Sequence, residues 1–405
     1  MIPLSDITAA YNRLKDIVVR TPFAQAPLLS KRAGAEVWLK KENLQLTGAY
    51  KLRGAYNKIA SLGDAERQKG VIAASAGNHA QGVAYSAAIF GIPATIVMPE
   101  PTPLLKVQST QSLGAKVILH GENYDEAYAY ATEYAQKHGL VFIHPFADDA
   151  VIAGQGTIAL EILEEMQDID YMIVPIGGGG LISGIGSYVR QINPKIRIIG
   201  VVAEGAPAMK HSFQSKKPLD STSVRTIADG IAVRDVSPKN LDIILEVVDD
   251  VVSVDDEEIA SAILFLLEKQ KLVVEGGGAV GVAAIMHHKF HFEEGAKIVT
   301  VLSGGNIDVQ MLSLIIEKGL IKAHRKMKLI VTLVDRPGAL RSLTDILEEV
   351  GANIIQIDYD RTSTSLSYGD ANVTLALETK GKEHQEAVRR KLEEGKFRFK
   401  EEMRV

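Results

Sequence analysis

Short apolar runs alternate with helix-like stretches over roughly the first 320 residues. Val71-Ile72-Ala73-Ala74 is an uninterrupted apolar run, followed by a glycine turn and an alanine-rich stretch that predicts a helix from about Ala80 to Phe90. The same strand signal returns at Pro93 to Met98 and at Lys116 to Leu119, and a helix is predicted over Tyr124 to His138. Tyr171 to Pro175, Ile196 to Val202 and Lys297 to Leu302 are further β-branched runs ending at glycine, proline or acidic turns. Continuous apolar strands separated by helices are the pattern of parallel strands buried on both faces, so a doubly wound α/β fold is expected.

The pattern changes near residue 325. His324-Arg325-Lys326-Met327-Lys328 is polar and basic, and after it Leu329, Val331 and Leu333 alternate with Ile330, Thr332 and Val334. Asp335-Arg336-Pro337-Gly338 turns the chain into a helix from about Ala339 to Val350. Strand runs follow at Asn353 to Tyr359 and Ala371 to Leu377, then a helix from about Lys382 to Glu393 and a last short strand. This order, βαββαβ, suits a small independent α+β domain. We expect a catalytic region over 1–322, a linker over 323–327 and a separate domain over 328–405.

Composition removes several function classes. The chain has 405 residues, enough for two or three domains, and its net charge of −5 gives no electrostatic reason to bind nucleic acid or an anionic membrane. It has no cysteine, which excludes disulfides, thiolate metal sites and cysteine nucleophiles. The N-terminus lacks the basic and apolar regions of a signal peptide, and no apolar run is long enough to span a bilayer, so a cytoplasmic protein is expected.

Four short segments carry the candidate chemistry. Lys51, in Thr47-Gly48-Ala49-Tyr50-Lys51-Leu52-Arg53-Gly54, opens a predicted helix; a helix N-terminus disfavours ammonium, and a neutral amine is what imine formation and α-proton abstraction need. Gly177-Gly178-Gly179-Gly180 lies between an apolar run and a helix beginning at Leu181, so its backbone N–H groups form an anion site. It is neither GxGxxG nor a P-loop, which points to a single phosphate. Ser75-Ala76-Gly77-Asn78-His79 follows a strand and precedes a helix; its amides suit a carboxylate, and Asn78 suits a phenolic or carboxylate oxygen. Ser303-Gly304-Gly305-Asn306 ends another strand. Ligands of open α/β sheets bind at the carboxyl ends of strands, so these loops are expected to share one cleft. The His287-His288-Lys289-Phe290-His291 cluster reads as a solvated helix end, and Asp148-Asp149 and Asp255-Asp256-Glu257-Glu258 as helix caps.

In this order, the segments over residues 1 to 322 resemble the fold-type II pyridoxal-phosphate enzymes, related to the tryptophan synthase β fold, and most closely the threonine dehydratases. The resemblance implies two doubly wound lobes with the cofactor on Lys51. Asn78 would face its phenolic oxygen, Gly177, Gly178, Gly179, Gly180 and Leu181 would hold its phosphate, and Ser303 would face its ring nitrogen. Ser75, Ala76, Gly77, Asn78 and His79 would take the substrate carboxylate. The family usually has Ser-Phe before the lysine, where this chain has Ala49-Tyr50. Similar serine racemases carry a second serine where this chain has Ala76; an alanine cannot move a proton, which favours elimination over racemisation. Glu204 and Ala208 fall where related enzymes place cation ligands, but Lys210 replaces the next acidic residue, so no metal is expected. Glu275 falls at another family position near the cleft. The tail resembles an ACT domain, a ferredoxin-like α+β module. That implies pairing between subunits as a homodimer or homotetramer, and an amino-acid effector, isoleucine or valine, near Asp335, Pro337, Gly338, Ala339, Leu340 and Asn353. The activity implied is elimination of L-threonine to 2-oxobutanoate and ammonia, with L-serine as a second substrate. Racemase, threonine synthase and inactive sensor are the alternatives.

Overall fold

A computed structural model describes residues 1–401. The chain divides into two compact units, Met1–Asp308 and Val309–Val405.

In the first unit, β1 (Phe23–Gln25) and β2 (Glu36–Lys40) come first, then β3 (Val71–Ala74), β4 (Ala94–Met98), β5 (Lys116–Leu119) and β6 (Val141–Phe142), then β7 (Tyr171–Pro175), β8 (Arg197–Ala203), β9 (Asp250–Val254) and β10 (Lys297–Val301). β3 to β6 form a four-stranded parallel sheet of order β5-β4-β3-β6, and the others a six-stranded sheet of order β1-β2-β10-β7-β8-β9. The continuous apolar runs behave as expected of strands covered on both faces. Val71 and Ala73 join one core with Ile96 and Met98, while Ile72, Ala74 and Val97 join another on the opposite face. One strand departs from the parallel expectation. β1 runs antiparallel to β2, with Phe23 opposite Lys40, and forms the sheet edge.

Helix ends follow local chemistry. Asn123 accepts from the amides of Asp125 and Glu126 and starts the helix Tyr124–His138, which Gly139 ends in a left-handed conformation. Asp148 accepts from Ala150 and Val151 to start Asp149–Glu165, and Asp255 forms a capping box with Glu258. The helix Asp149–Glu165 is buried along most of its length because two others cross it at glycines. A Cβ on Gly154 would stand 2.6 Å from the Arg53 carbonyl oxygen of helix Lys51–Ser61, and one on Gly184 would stand 2.3 Å from the Ile152 carbonyl oxygen. Gly184 belongs to the helix Gly180–Ile192. Backbone therefore packs on backbone, and the N-termini of Lys51–Ser61 and Gly180–Ile192 are both referred to this one central helix.

The second unit contains the helix Val309–Lys322, then β11 (Lys326–Val334), the helix Ala339–Glu349, β12 (Asn353–Asp360), β13 (Asp370–Glu378), the helix Lys382–Glu394 and β14 (Arg398–Glu401). The helix Val309–Lys322, placed by sequence in the catalytic region, groups here, and β11 starts inside the stretch read as a linker. The sheet is antiparallel, of order β12-β13-β11-β14. Met327, Leu329, Val331 and Leu333 alternate inward against Leu343, Leu347, Val388 and Leu392 of the helices, which is the period-2 pattern of a sheet covered on one face.

Candidate active site

Four loops at the carboxyl ends of β2, β3, β7 and β10 meet around a cavity of about 710 Å³ in the first unit. Lys51, Ser75, Ala76, Gly77, Asn78, His79, Gly177, Gly178, Gly179, Gly180, Leu181 and Ser303 all line it. Tyr50, Pro145, Phe146, Glu275 and Asn306 also line it.

Lys51 is the first residue of its helix. Its preceding segment is tied to the Ser303 loop: the Tyr50 amide donates to the Ser303 carbonyl at 3.0 Å, and the Gly305 amide to the Gly48 carbonyl at 2.8 Å. The helix is anchored from below. Arg53, fully buried, pairs with Glu42 at 2.8 Å and with Glu161 at 2.6 Å, and Glu161 also pairs with buried Lys40 at 2.5 Å. Burial opposes ionisation of Glu42, yet the Arg53 guanidinium beside it outweighs that and holds its carboxyl below the usual range.

The Lys51 ammonium has no such carboxylate. Its Nζ donates to the Pro145 carbonyl at 2.9 Å, and desolvation brings its pKa down to about 8, with the Glu275 carboxyl opposing the fall. The direction matches the sequence expectation, but the cause is burial rather than the helix terminus. Burial and the Lys51 charge likewise lower His79 to about 3; its Nε2 shares a 2.8 Å hydrogen bond with the Ile143 carbonyl. His79 is therefore a neutral wall of the site.

Asn78 is held at both ends of its amide. Its Nδ2 donates to Glu275 Oε1 at 2.7 Å, and its Oδ1 accepts from Asn306 Nδ2, also at 2.8 Å from the Thr47 carbonyl. Burial first, then Asp229, raises Glu275 to about 7, while the Asn78 hydrogen bond opposes the rise. Neither Ser75 nor Asn78 caps the helix Asn78–Phe90 with its side chain.

Two sets of backbone donors face the cavity. Among the described residues, no protein oxygen accepts from the amides of Gly177 to Leu181, or from those of Ala76, Asn78 and His79. The glycine loop has no room for side chains. A Cβ on Gly178 would fall 2.4 Å from the Phe146 ring, one on Gly180 would fall 2.8 Å from the Phe146 carbonyl oxygen, and Gly179 has φ of +87°. Unpaired amides at a helix N-terminus are a site for a phosphate. Together with a lysine of lowered pKa, they fit a phosphorylated aldehyde cofactor.

The model of the family "Pyridoxal-phosphate dependent enzyme" matches residues 14–304. The chain belongs to this family. Its cofactor is pyridoxal phosphate, and the matched span contains every cavity residue named above except Asn306. The chain is 50% identical over 392 residues to an L-threonine ammonia-lyase of Thermotoga maritima, covering 97% of each. Among solved structures, threonine deaminase isoform 2 from Solanum lycopersicum is 39% identical with a TM-score of 0.74, over 78% of this chain and 86% of that one. Maize serine racemase is 36% identical with a TM-score of 0.74, over 80% of this chain and 99% of its own.

Other expected positions lie elsewhere. Lys210 Nζ donates to Ser253 Oγ at 2.9 Å, and Glu204 is exposed. No group of three or more metal-ligating side chains occurs among the described residues, and His287 directly follows a helix ending at Met286. No helix among them is long and apolar enough to cross a membrane. In the second unit, the Asp335–Leu340 loop forms one end of the sheet, where Asp335 accepts from Tyr359 Oη at 2.9 Å and lies 3.4 Å from Arg361. Asn353 is not brought to that loop. It opens β12 opposite Glu378, at the far end of the strand from Tyr359. Sequence reasoning missed Tyr359, Arg361, Pro145 and Phe146, which carry no motif.

Proposed function

We propose that this protein is an L-threonine ammonia-lyase that eliminates the β-hydroxyl of L-threonine to give 2-oxobutanoate and ammonia. The observation that carries the reading is a lysine held at about pKa 8 that lines one cavity with two sets of unpaired backbone amides. The amides of Ala76, Asn78 and His79 receive the substrate carboxylate, and those of Gly177 to Leu181 hold the cofactor phosphate. Lys51 Nζ would hold the cofactor and, as a neutral amine, would take the α-proton. Pyridoxal phosphate, when bound, supplies the electron sink that acidifies the α-C–H bond. Asn78, oriented by Glu275 and Asn306, and Ser303 would hold its ring. Ala76 offers no hydroxyl to return a proton from the opposite face, so loss of the β-hydroxyl prevails over inversion. The released enamine hydrolyses in water to the oxoacid and ammonia. L-serine would give pyruvate at the same site.

The second unit supports a regulatory reading. The amides of Leu340 and Arg341, at a helix start preceded by Gly338 with φ of +86°, have no protein acceptor among the described residues and suit an amino-acid carboxylate. β12 is a sheet edge with Ile355 and Ile357 half exposed, which suits pairing with a second copy. Isoleucine or valine is the proposed effector, acting by binding two states of the protein unequally.

The test is turnover of L-threonine and L-serine by wild type and Lys51→Ala, with oxoacid and D-amino acid both followed. Oxoacid from wild type alone supports the reading. D-serine as the main product would instead support a racemase, and product from O-phosphohomoserine a synthase.

A further inference from the structure

Asn240 lies behind the glycine loop and outside the cavity. It is fully buried, at the third position of the helix Pro238–Val247, and its backbone amide faces Ser237 Oγ at 3.4 Å. Its Nδ2 donates twice, to the Gly178 carbonyl at 2.6 Å and to the Phe146 carbonyl at 3.0 Å. Its Oδ1 is buried with no partner among the described residues. A buried acceptor left unpaired costs stability, a cost set against the two hydrogen bonds that the same amide donates. What the amide contributes is its two donors.

Those donors set the orientation of the peptides that face the cavity. The Gly178–Gly179 peptide is planar and trans, so its N–H points away from its C=O. With the Gly178 oxygen turned towards Asn240, the Gly179 N–H is turned the other way, to the side on which Gly177 to Gly180 line the cavity. The second bond holds the segment that backs the loop. The Phe146 ring and carbonyl oxygen occupy the space that a Cβ on Gly178 or Gly180 would need, and the preceding Pro145 carbonyl receives Lys51 Nζ. One side chain thus ties the loop to the backbone that receives the lysine. A four-glycine loop has large conformational freedom of its own, and without such a tie its amides would have to be ordered at the moment of binding.

We infer that Asn240 is the positioning residue for the cofactor's phosphate, fixing the Gly178–Gly179 peptide with its N–H towards the bound anion. The inference rests on the proposed reading of Gly177–Gly180 as the phosphate site. It predicts a defect that follows the phosphate and not the ring.

The test is a titration of cofactor-free protein with pyridoxal phosphate and, separately, with pyridoxal, which lacks the phosphate, monitored by absorbance. Wild type should bind pyridoxal phosphate far more tightly, and inorganic phosphate should compete with it. In Asn240→Ala, pyridoxal phosphate affinity should fall at least roughly tenfold, the worth of a hydrogen bond to a charged group, with pyridoxal affinity unchanged. Asn240→Leu fills the volume, keeps the core packed and should show the same selective loss. Ser187→Ala, which removes the buried acceptor of the Ile2 amide, is the control for destabilisation and should leave the ratio of the two affinities unchanged. Equal losses for both ligands in the Asn240 variants, no loss, or the same change of ratio in Ser187→Ala would overturn the inference. A wild type that does not distinguish the two ligands would overturn the phosphate-site reading itself.

Discussion

Lys40 and Lys51 stand on either side of one loop, and the protein treats their charges in opposite ways. Lys40, at the end of β2, is fully buried, yet its Nζ meets Glu161 at 2.5 Å and the Thr21 carbonyl at 2.9 Å. With Arg53, Glu42 and Glu161 it forms a set of two cations and two carboxylates, each partner compensating the desolvation of another. Lys51, two residues before Arg53, meets the Pro145 carbonyl and the Tyr50 ring but no paired carboxylate, and desolvation lowers its pKa. The comparison teaches that burial makes an amine reactive only where no carboxylate is supplied. The paired set anchors the helix, and the unpaired lysine at its start is the one proposed to carry the cofactor.

The largest expected effect comes from removing the unpaired member. Lys51→Ala should lower L-threonine turnover by at least about a thousandfold, the range for losing a positioned base, while the melting temperature of the cofactor-free protein stays near wild type. A large melting shift would place Lys51 in the structural set. Next, Arg53→Met leaves Glu42 with only the Thr21 hydroxyl and the Lys40 charge, removes one of the two cations on Glu161, and should cost about 3–5 kcal/mol in denaturant unfolding. If it costs no more than a surface change, the buried set does not anchor the helix.

A smaller effect tests how Glu275 acts on Lys51. Because the amine is neutral above a pKa of about 8, uptake of pyridoxal phosphate by cofactor-free protein should accelerate as pH rises through that value and then level off. The Glu275 carboxyl, itself raised to about 7, favours the ammonium when ionised. Glu275→Gln should therefore move the uptake curve to lower pH; an unmoved curve would mean that Lys51 does not sense this carboxyl. Smallest of all is a lysine paired in water. Lys106 meets Asp229 at 2.9 Å at the cavity mouth with both side chains partly exposed, and Lys106→Ala should change stability by less than about 1 kcal/mol.

Much of this comparison was legible in the sequence, and the limits are physical. The apolar runs at Val71–Ala74 and Tyr171–Pro175 are strands at the expected residues, because strands covered on both faces have a composition that little else shares, and Lys116–Leu119 is a strand at the expected residues although it is a partly exposed sheet edge. The loops at Ser75, Gly177 and Ser303 share the cavity because each ends such a strand. β1 was not legible, being three residues long and half buried at a sheet edge. The contact of Glu275 with Asn78 is not legible in the sequence, since the two are far apart in the chain. Asn240 and Phe146 act through backbone carbonyls, which leave no pattern of residue types. The motif groups Asn353 with Asp335, while the direction of β12 carries it to the other end of the sheet.

The most direct test of Lys51 as the unpaired, cofactor-bearing lysine is borohydride reduction of the native protein followed by peptide mass spectrometry. The account predicts a phosphopyridoxyl group on the peptide bearing Lys51 and on no other lysine, with Lys40 unmodified. Modification of a different lysine, or none in protein that carries the cofactor, would contradict it.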